Sequence, residues 1–131
     1  MNHRLFISHS WSYSSQYTRL IQLLNAQGYY FYNHSVPIDD PIHTNGTIYQ
    51  LRDAIDAQIR GASCVIILAG VYASYSTWIN EEIQIAVKYG KPIIAVELWG
   101  SERTSAVVKN YADMIVKWQA TSIIQAIHQL C

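Results

Sequence analysis

The 131-residue chain lacks most of the features that mark specialised classes of protein. Nine Lys and Arg residues balance nine Asp and Glu residues and form no basic run, so the charge pattern argues against dedicated nucleic-acid binding. No apolar stretch approaches the ~20 residues of a membrane helix, and the N-terminus lacks a signal-peptide pattern. We therefore expect a cytoplasmic protein without a membrane span, folded as a single domain over residues 1–131.

Residues that commonly bind metals or form disulfides are sparse. The two cysteines, Cys64 and Cys131, are far apart and show no spacing typical of a metal site. Cys64 lies within an apolar run, which predicts a buried thiol. The five histidines have no paired ligand spacing either, so no metal site is predicted.

Several nucleotide-binding and catalytic motifs are also missing. Neither G-x-G-x-x-G nor G-x-x-x-x-G-K-[ST] occurs, so Rossmann and P-loop interpretations lack their phosphate-binding loop. A phospho-acceptor receiver would need an aspartate at the end of its third strand, where this chain reads LAG. No G-x-S-x-G elbow supports a serine hydrolase.

What the chain does contain is a regular alternation of strand and helix patterns. Apolar residues at helical spacing fill the intervals between strands, with Gly28, Gly61 and Gly90 as stops, and a last helix follows Ser122. Segment 99–112 is ambiguous between a loop and a short helix. The alternation predicts an α/β, flavodoxin-like three-layer fold with a five-stranded parallel sheet in the order 2-1-3-4-5. The predicted strands are Arg4–Ser8, Tyr29–Tyr32, Cys64–Gly70, Pro92–Leu98 and Met114–Trp118.

This topology also predicts where a ligand would bind. Ligands of doubly wound sheets bind beyond the carboxyl ends of the strands, where the strand order reverses. The loops after the first three strands, residues 8–12, 33–45 and 70–78, should therefore lie beside the ligand. The second is long and turn-rich, as functional loops often are.

Glu82 follows the third of these loops and is the most suggestive carboxylate. It lies four residues after Trp78, so the two should share a helix face while Glu81 points elsewhere. A fixed carboxylate can stabilise the oxocarbenium character that develops when a ribosyl bond is cleaved. The alternative is a first-turn glutamate that is favoured only by the helix dipole.

Four segments together resemble the TIR-like family, in particular its prokaryotic Thoeris-type branch. One is the loop after YYFY, which corresponds to the BB loop of the family. RLFISHSWS resembles the opening motif of that family, and CVIILAG resembles its central strand. STWINEEIQIAVKYGKPIIAV resembles the segment in which a tryptophan precedes the catalytic glutamate by four residues. The likeness covers roughly residues 3 to 98.

The resemblance implies an NAD-cleaving enzyme of antiphage defence that breaks the nicotinamide–ribosyl bond, with NAD⁺ as substrate and no cofactor. Glu82 would be the catalytic residue, supported by Trp78. The nucleotide would be bordered by residues of the first strand and its loop, and by residues of the long second loop: Phe6, Ser8, His9 and Ser10, then Asn33, Ser35 and Asp39.

Partners follow from the same resemblance. The product would be a cyclic ADP-ribose-type nucleotide that activates a separate effector protein, and a phage-derived signal would trigger its synthesis. Because the domain has no phosphate-binding loop of its own, we expect a neighbouring copy to complete the site on activation. Two alternatives stay open: a non-catalytic TIR-type protein-interaction module, and a nucleotide-binding receptor of the same fold.

Overall fold

Five strands alternate with five helices in the described parts of the chain. The structure is a computed structural model that describes residues 3–8, 14–34, 48–69, 77–97 and 106–131. The strands are β1 (Arg4–Ser8), β2 (Tyr32–Asn33), β3 (Cys64–Ala69), β4 (Ile93–Glu97) and β5 (Met114–Lys117). The helices are α1 (Ser14–Ala26), α2 (Ile48–Gly61), α3 (Thr77–Lys88), α4 (Ala106–Tyr111) and α5 (Ala120–Leu130).

The strands form one parallel sheet in the order β2-β1-β3-β4-β5. This confirms the predicted fold class and strand order. Strand β3 is central and pairs with β1 and β4 on its two sides. Its residues 64–68 are all buried, because helices cover both faces of the sheet and every side chain of the strand enters a core.

Two cores lie on opposite faces of the sheet, and alternation along β1 assigns its side chains to them. Leu5 and Ile7 join the core that contains buried residues of α1 and α5. Phe6 joins the other core, with buried residues of α2, α3 and α4. Because successive strand residues point to opposite faces, Ser8 lies on the same face as Phe6. Ser8 is therefore directed towards the layer that contains α3.

Two glycines end helices as predicted. Gly28 and Gly90 follow α1 and α3 with φ angles of 74° and 65°, in the left-handed region that glycine adopts at little cost. The backbone N–H of Gly28 donates to the Asn25 carbonyl oxygen, and that of Gly90 to the Val87 carbonyl oxygen. These bonds satisfy carbonyl groups that the ended helices leave unpaired.

The second strand differs from its prediction. The aromatic run Tyr29–Tyr32 was expected to form it, whereas β2 is only Tyr32–Asn33. Tyr29 and Phe31 instead pack against the α1 and α5 core, and Tyr29 also pairs with His3. Side-chain packing and this hydrogen bond therefore take precedence over the β propensity of the run.

The C-terminal third is more helical than the sequence pattern indicated. The ambiguous segment contains the short helix α4, and α5 begins at Ala120 instead of after Ser122. Ala120 is buried, which anchors the extra helical residues. Strand β5 is the outer strand that the sequence predicted, and Ile115 at its middle remains exposed.

Cys64 is not the free thiol that its apolar surroundings suggested. It forms a disulfide with Cys131, which joins the start of β3 to the residue after α5. The sequence prediction was wrong because residues that are 67 positions apart in sequence meet where α5 returns to the amino end of the sheet. Disulfides are rare in the cytosol, so this bond gives no support to the expected cytoplasmic location.

Two kinds of feature are absent from the described residues. None of their helices has both the length and the apolar character needed to cross a bilayer. The same residues include no cluster of three or more His, Cys, Asp or Glu side chains suited to a metal ion.

Candidate active site at the carboxyl end of the sheet

Glu82 lies on the face of α3 that is packed against the sheet. Ile79, Ile83 and Ala86 on this helix are all buried in the core that also contains Phe6. Glu82 lies among them in the helical spacing, and only 3 % of its surface is exposed. The apolar stripe that fixes the helix on the sheet therefore also carries the carboxyl group inward.

The adjacent Glu81 points to the surface. Its carboxylate Oε1 accepts a hydrogen bond from Nη2 of Arg52 on α2, at 3.1 Å. The side chains of Arg52 and Glu81 are 43 % and 40 % exposed. The two neighbouring glutamates thus have different environments: Glu81 forms a solvated ion pair between two helices, and Glu82 is buried. The orientation that the sequence spacing predicted for the pair is the one the structure has.

Burial changes the proton affinity of Glu82. Loss of hydration raises the pKa of its carboxyl group to about 8, because the charged form is the one that burial disfavours. Ser8 acts in the opposite direction and lowers the pKa, but by less. In the resting protein at neutral pH the carboxyl group is therefore largely protonated.

The pair formed by Ser8 and Glu82 is incompletely satisfied. Ser8 is the last residue of β1, is 1 % exposed, and its strand pairs with β3 at Ile67. Although Ser8 is close enough to affect the carboxyl group, Ser8 Oγ and Glu82 Oε2 form no well-aligned hydrogen bond to each other or to any other described group. Buried polar atoms without partners are uncommon and often mark functional sites.

Two other predicted site residues lie within the described chain. Phe6 is 3 % exposed and lies below Ser8 on the same face of β1. Asn33 pairs in register with Leu5, three positions before Ser8, which is about 10 Å along the strand. Its side-chain amide donates a hydrogen bond to the Tyr17 hydroxyl. The structure therefore brings Phe6, Ser8 and Glu82 to one face, and leaves Asn33 at the outer strand.

The remaining predicted residues lie outside what the structure describes. These are His9, Ser10, Ser35 and Asp39. Trp78 is the second residue of α3, so its backbone is helical, but its side chain is also outside the description. Their assigned roles stay predictions.

One contact and one position were not predicted from the sequence. The family resemblance assigns Ser8 to the nucleotide and not to Glu82, although alternation from Phe6 indicates that Ser8 faces α3. Glu97 is the unpredicted position; it ends β4 in register with Ala69 at the same edge of the sheet. A carboxylate at the carboxyl end of an interior strand is the signal that would have selected it.

Chemically, the site combines a shielded carboxyl group with a hydroxyl on a rigid strand. In its ionised form the carboxylate would act in surroundings of low dielectric, where a charge interacts more strongly with a developing positive charge than it does in water. Its place near the carboxyl end of β1 and β3 is where doubly wound sheets bind ligands.

Comparison with known proteins agrees with the fold. The structure of the CMP N-glycosidase BcmB of Clostridium botulinum superimposes with a TM-score of 0.62 at 15 % sequence identity. The match covers 96 % of this chain and 98 % of the other. At this identity the likeness shows a shared fold.

The family is shown by the sequence itself. No curated protein matches the chain closely enough to add to the assignment. Residues 6–103 match the family model of the TIR-like domain of Thoeris protein ThsB. This range begins within β1 and runs past the end of β4, so it contains both Ser8 and Glu82. The chain is thus a member of the TIR-like domain family of Thoeris protein ThsB.

Proposed function

We propose that this chain is a TIR-like enzyme of antiphage defence that cleaves the nicotinamide–ribosyl bond of NAD⁺. The observation that carries the proposal is the buried carboxyl group of Glu82 near the carboxyl end of the sheet, with one oxygen that lacks a partner among the described residues. Membership of the Thoeris ThsB family supports the defence role. The fold shared with a CMP N-glycosidase is compatible with cleavage of an N-glycosidic bond.

The reaction needs one well-placed negative charge. As the bond between the ribosyl C1′ and the pyridinium nitrogen breaks, its electron pair passes to that nitrogen, and nicotinamide leaves as a neutral molecule. The ribosyl group then carries the positive charge, as in other glycoside cleavages. An ionised Glu82 would stabilise this charge more in the transition state than in the ground state. Because the leaving group is cationic beforehand, no general acid is required.

Substrate binding would also ionise the carboxyl group. A positive charge placed near a buried carboxyl favours its charged form and lowers its pKa. The nicotinamide ring supplies that charge only when NAD⁺ is bound. The free protein would then hold Glu82 protonated, with its pKa at about 8, and the bound substrate would create the active carboxylate. This is consistent with low activity until activation positions the substrate.

The ADP-ribosyl group that remains would be captured within the same nucleotide, giving a cyclic ADP-ribose-type messenger for a separate effector protein. Self-association would complete the site, since neither G-x-G-x-x-G nor G-x-x-x-x-G-K-[ST] occurs in the sequence to bind the phosphates. NAD⁺ is the substrate in this scheme, and no cofactor takes part.

Nicotinamide release from NAD⁺ tests the proposal, with and without lysate from phage-infected cells. Wild-type protein should release nicotinamide, and Glu82→Gln should lower the rate at least about a hundredfold, the usual effect of removing one electrostatic contact to a transition state. Glu81→Gln is the matched control: it neutralises the neighbouring carboxylate, which is occupied at the surface by Arg52, and should retain the activity.

The alternatives give different results. A non-catalytic interaction module would release no nicotinamide under any condition, and a nucleotide receptor would bind nucleotide without consuming it. Equal rates for wild type and Glu82→Gln under activation would remove Glu82 from the mechanism. CMP in a parallel reaction shows whether the pyridinium is needed: release of cytosine in place of nicotinamide would keep the class of bond and change the substrate.

A further inference from the structure

Ser8 and Glu82 are the two buried polar or charged side chains in the part of the chain that the structure describes. They come from separate elements, the carboxyl end of β1 and the second turn of α3. Every other buried side chain in that part is apolar. Burying two polar groups side by side, with neither fully paired, is costly and calls for a specific reason.

The backbone that carries the Ser8 hydroxyl is fixed by strand pairing. Residues 5–8 of β1 pair in register with residues 64–67 of β3, so the backbone of Ser8 is held by the central part of the sheet. A serine hydroxyl can rotate and has one proton to donate. It can therefore turn towards a carboxylate without movement of the main chain. A site on a regular strand also positions such a group more precisely than a loop does.

We propose that Ser8 is a positioning residue for Glu82. Once the Glu82 carboxyl group has lost its proton to solvent, the Ser8 hydroxyl donates a hydrogen bond to the carboxylate. This inference rests on the proposed function for its catalytic consequence, but the contact itself does not depend on the substrate. Ser8 Oγ and Glu82 Oε2 are both buried without a partner among the described residues, so neither atom is engaged elsewhere.

The contact would serve catalysis through the charge state of Glu82. Burial alone disfavours the carboxylate, and hydrogen bonding to the charged form is the opposing effect available within the protein. Ser8 already acts in that direction, since it lowers the pKa of Glu82. By this account Ser8 need not touch the nucleotide, and its role is separate from the binding role that the family resemblance implied.

The test is a direct titration of Glu82 in the full chain without substrate. The chain has four glutamates, so ¹³C labelling of the glutamate carboxyl carbon gives few NMR signals, and Glu82→Gln identifies the relevant one. Ser8→Ala should raise the pKa of Glu82 by about one pH unit, the order expected for loss of one hydrogen bond to the charged form. Ser8→Thr, which keeps the hydroxyl, should restore the wild-type titration.

Activity gives the second readout. At neutral pH and with NAD⁺ well below saturation, Ser8→Ala should release nicotinamide about tenfold more slowly than wild type, because a one-unit rise in the pKa of the free protein lowers its ionised fraction about tenfold. The deficit should shrink at alkaline pH, whereas a merely structural defect would lower the rate equally at every pH. Thermal unfolding of each variant shows that the fold is retained.

The outcomes separate the two proposals. An unchanged Glu82 titration in Ser8→Ala overturns the positioning role, even if nicotinamide is released. A raised pKa in Ser8→Ala, restored in Ser8→Thr, supports it. The same titration result with no turnover of NAD⁺ by wild type under activation would uphold the contact and reject the proposed function.

Discussion

Polar groups at the two ends of the sheet differ in whether they have bonding partners. At the carboxyl end, Ser8 and Glu82 are buried and each has a polar atom without a partner among the described residues. At the amino end, Nδ1 of His3 and the Tyr29 hydroxyl share a hydrogen bond of 2.9 Å, and Cys64 is joined to Cys131 by a disulfide. At the carboxyl end, hydrogen-bonding atoms thus have no partner among the described residues, while at the amino end the hydrogen bond and the disulfide connect separate elements.

The amino end brings distant parts of the chain together. The ring of His3 contacts the rings of Tyr29 and His128, so the start of the chain, the segment before β2 and the last turn of α5 meet there. The disulfide adds a covalent link between β3 and the residue after α5. Paired groups and a cross-link stabilise a fold, whereas unpaired buried groups destabilise it and are often found at functional sites. The comparison therefore assigns stability to the amino end and supports the carboxyl end as the place of the proposed chemistry.

At neutral pH, reduction of the disulfide should give the largest change in stability. Cys64 and Cys131 are 67 residues apart, and in the chain-entropy account closing a loop of that length stabilises the folded state by about 4 kcal/mol. We expect the free energy of unfolding, measured in urea, to fall by that order when reductant is added. Cys131→Ser is the control: it should be as unstable as reduced wild type and insensitive to reductant. Identical unfolding of wild type with and without reductant would contradict the assignment of stability to this end.

Glu82 should give the next largest effect on the free energy of unfolding. Its burial destabilises the folded state, whereas the disulfide stabilises it. Between pH 4.5 and about 8 the folded state keeps a proton on Glu82 that the unfolded state releases, so stability falls as pH rises through this window. The slope should be at most about 1.4 kcal/mol per pH unit. Glu82→Gln has no such proton and should lose this part of the pH dependence, with the largest gain over wild type at the alkaline side.

Urea unfolding of both proteins at several pH values across that window checks the expectation. Glu81→Gln is again the matched control, because its partner Arg52 holds it at the surface and its removal should leave the slope in place. Parallel pH dependence in wild type and Glu82→Gln would show that the buried carboxyl group does not destabilise the carboxyl end of the sheet.

His3 should give the smallest effect, a loss of folding stability at acid pH. Burial lowers the pKa of His3 below its usual 6.5, and the nearby His128 lowers it further. As pH falls through 6.5 the unfolded state binds a proton that the folded state accepts only at lower pH, so stability is lost. His3→Gln should lose less stability on acidification than wild type does, and His128→Gln should lose an intermediate amount. Thermal unfolding at neutral and mildly acid pH measures these losses. Equal acid sensitivity in all three proteins would mean that His3 titrates as it does in the unfolded chain.

Much of the fold could be predicted because its signals are local. The apolar run Cys64–Ala69 and the glycines after α1 and α3 determine a buried strand and two helix ends from a few neighbouring residues. Alternation of such units restricts the sheet to few topologies, and the predicted order was the observed one. The aromatic run before β2 was misassigned because the packing of Tyr29 and Phe31 depends on α1 and α5, which are remote in sequence.

The site was predicted only in part, for the same reason. Helical spacing predicted that Glu82 and Glu81 face different ways, because the spacing of the apolar residues of α3 indicates which face of the helix is buried. The partners of these two residues were not predicted: Arg52 reaches Glu81 from another helix, and Ser8 lies beside Glu82 at the end of a strand. The roles of His9, Ser10, Ser35, Asp39 and Trp78 stay predictions, as do NAD⁺ as substrate and the cyclic product.

The sequence by itself determined the class of fold, the order of its elements and which glutamate of the pair faces inward. These depend on hydrophobic period and turn chemistry, which act over a few residues. Only the tertiary structure decided that Cys64 is bonded to Cys131, and that Ser8 lies beside Glu82 in a site that holds the carboxyl group protonated. Both depend on contacts between residues that are far apart in the chain, and the size of a pKa shift depends on how completely those contacts exclude water.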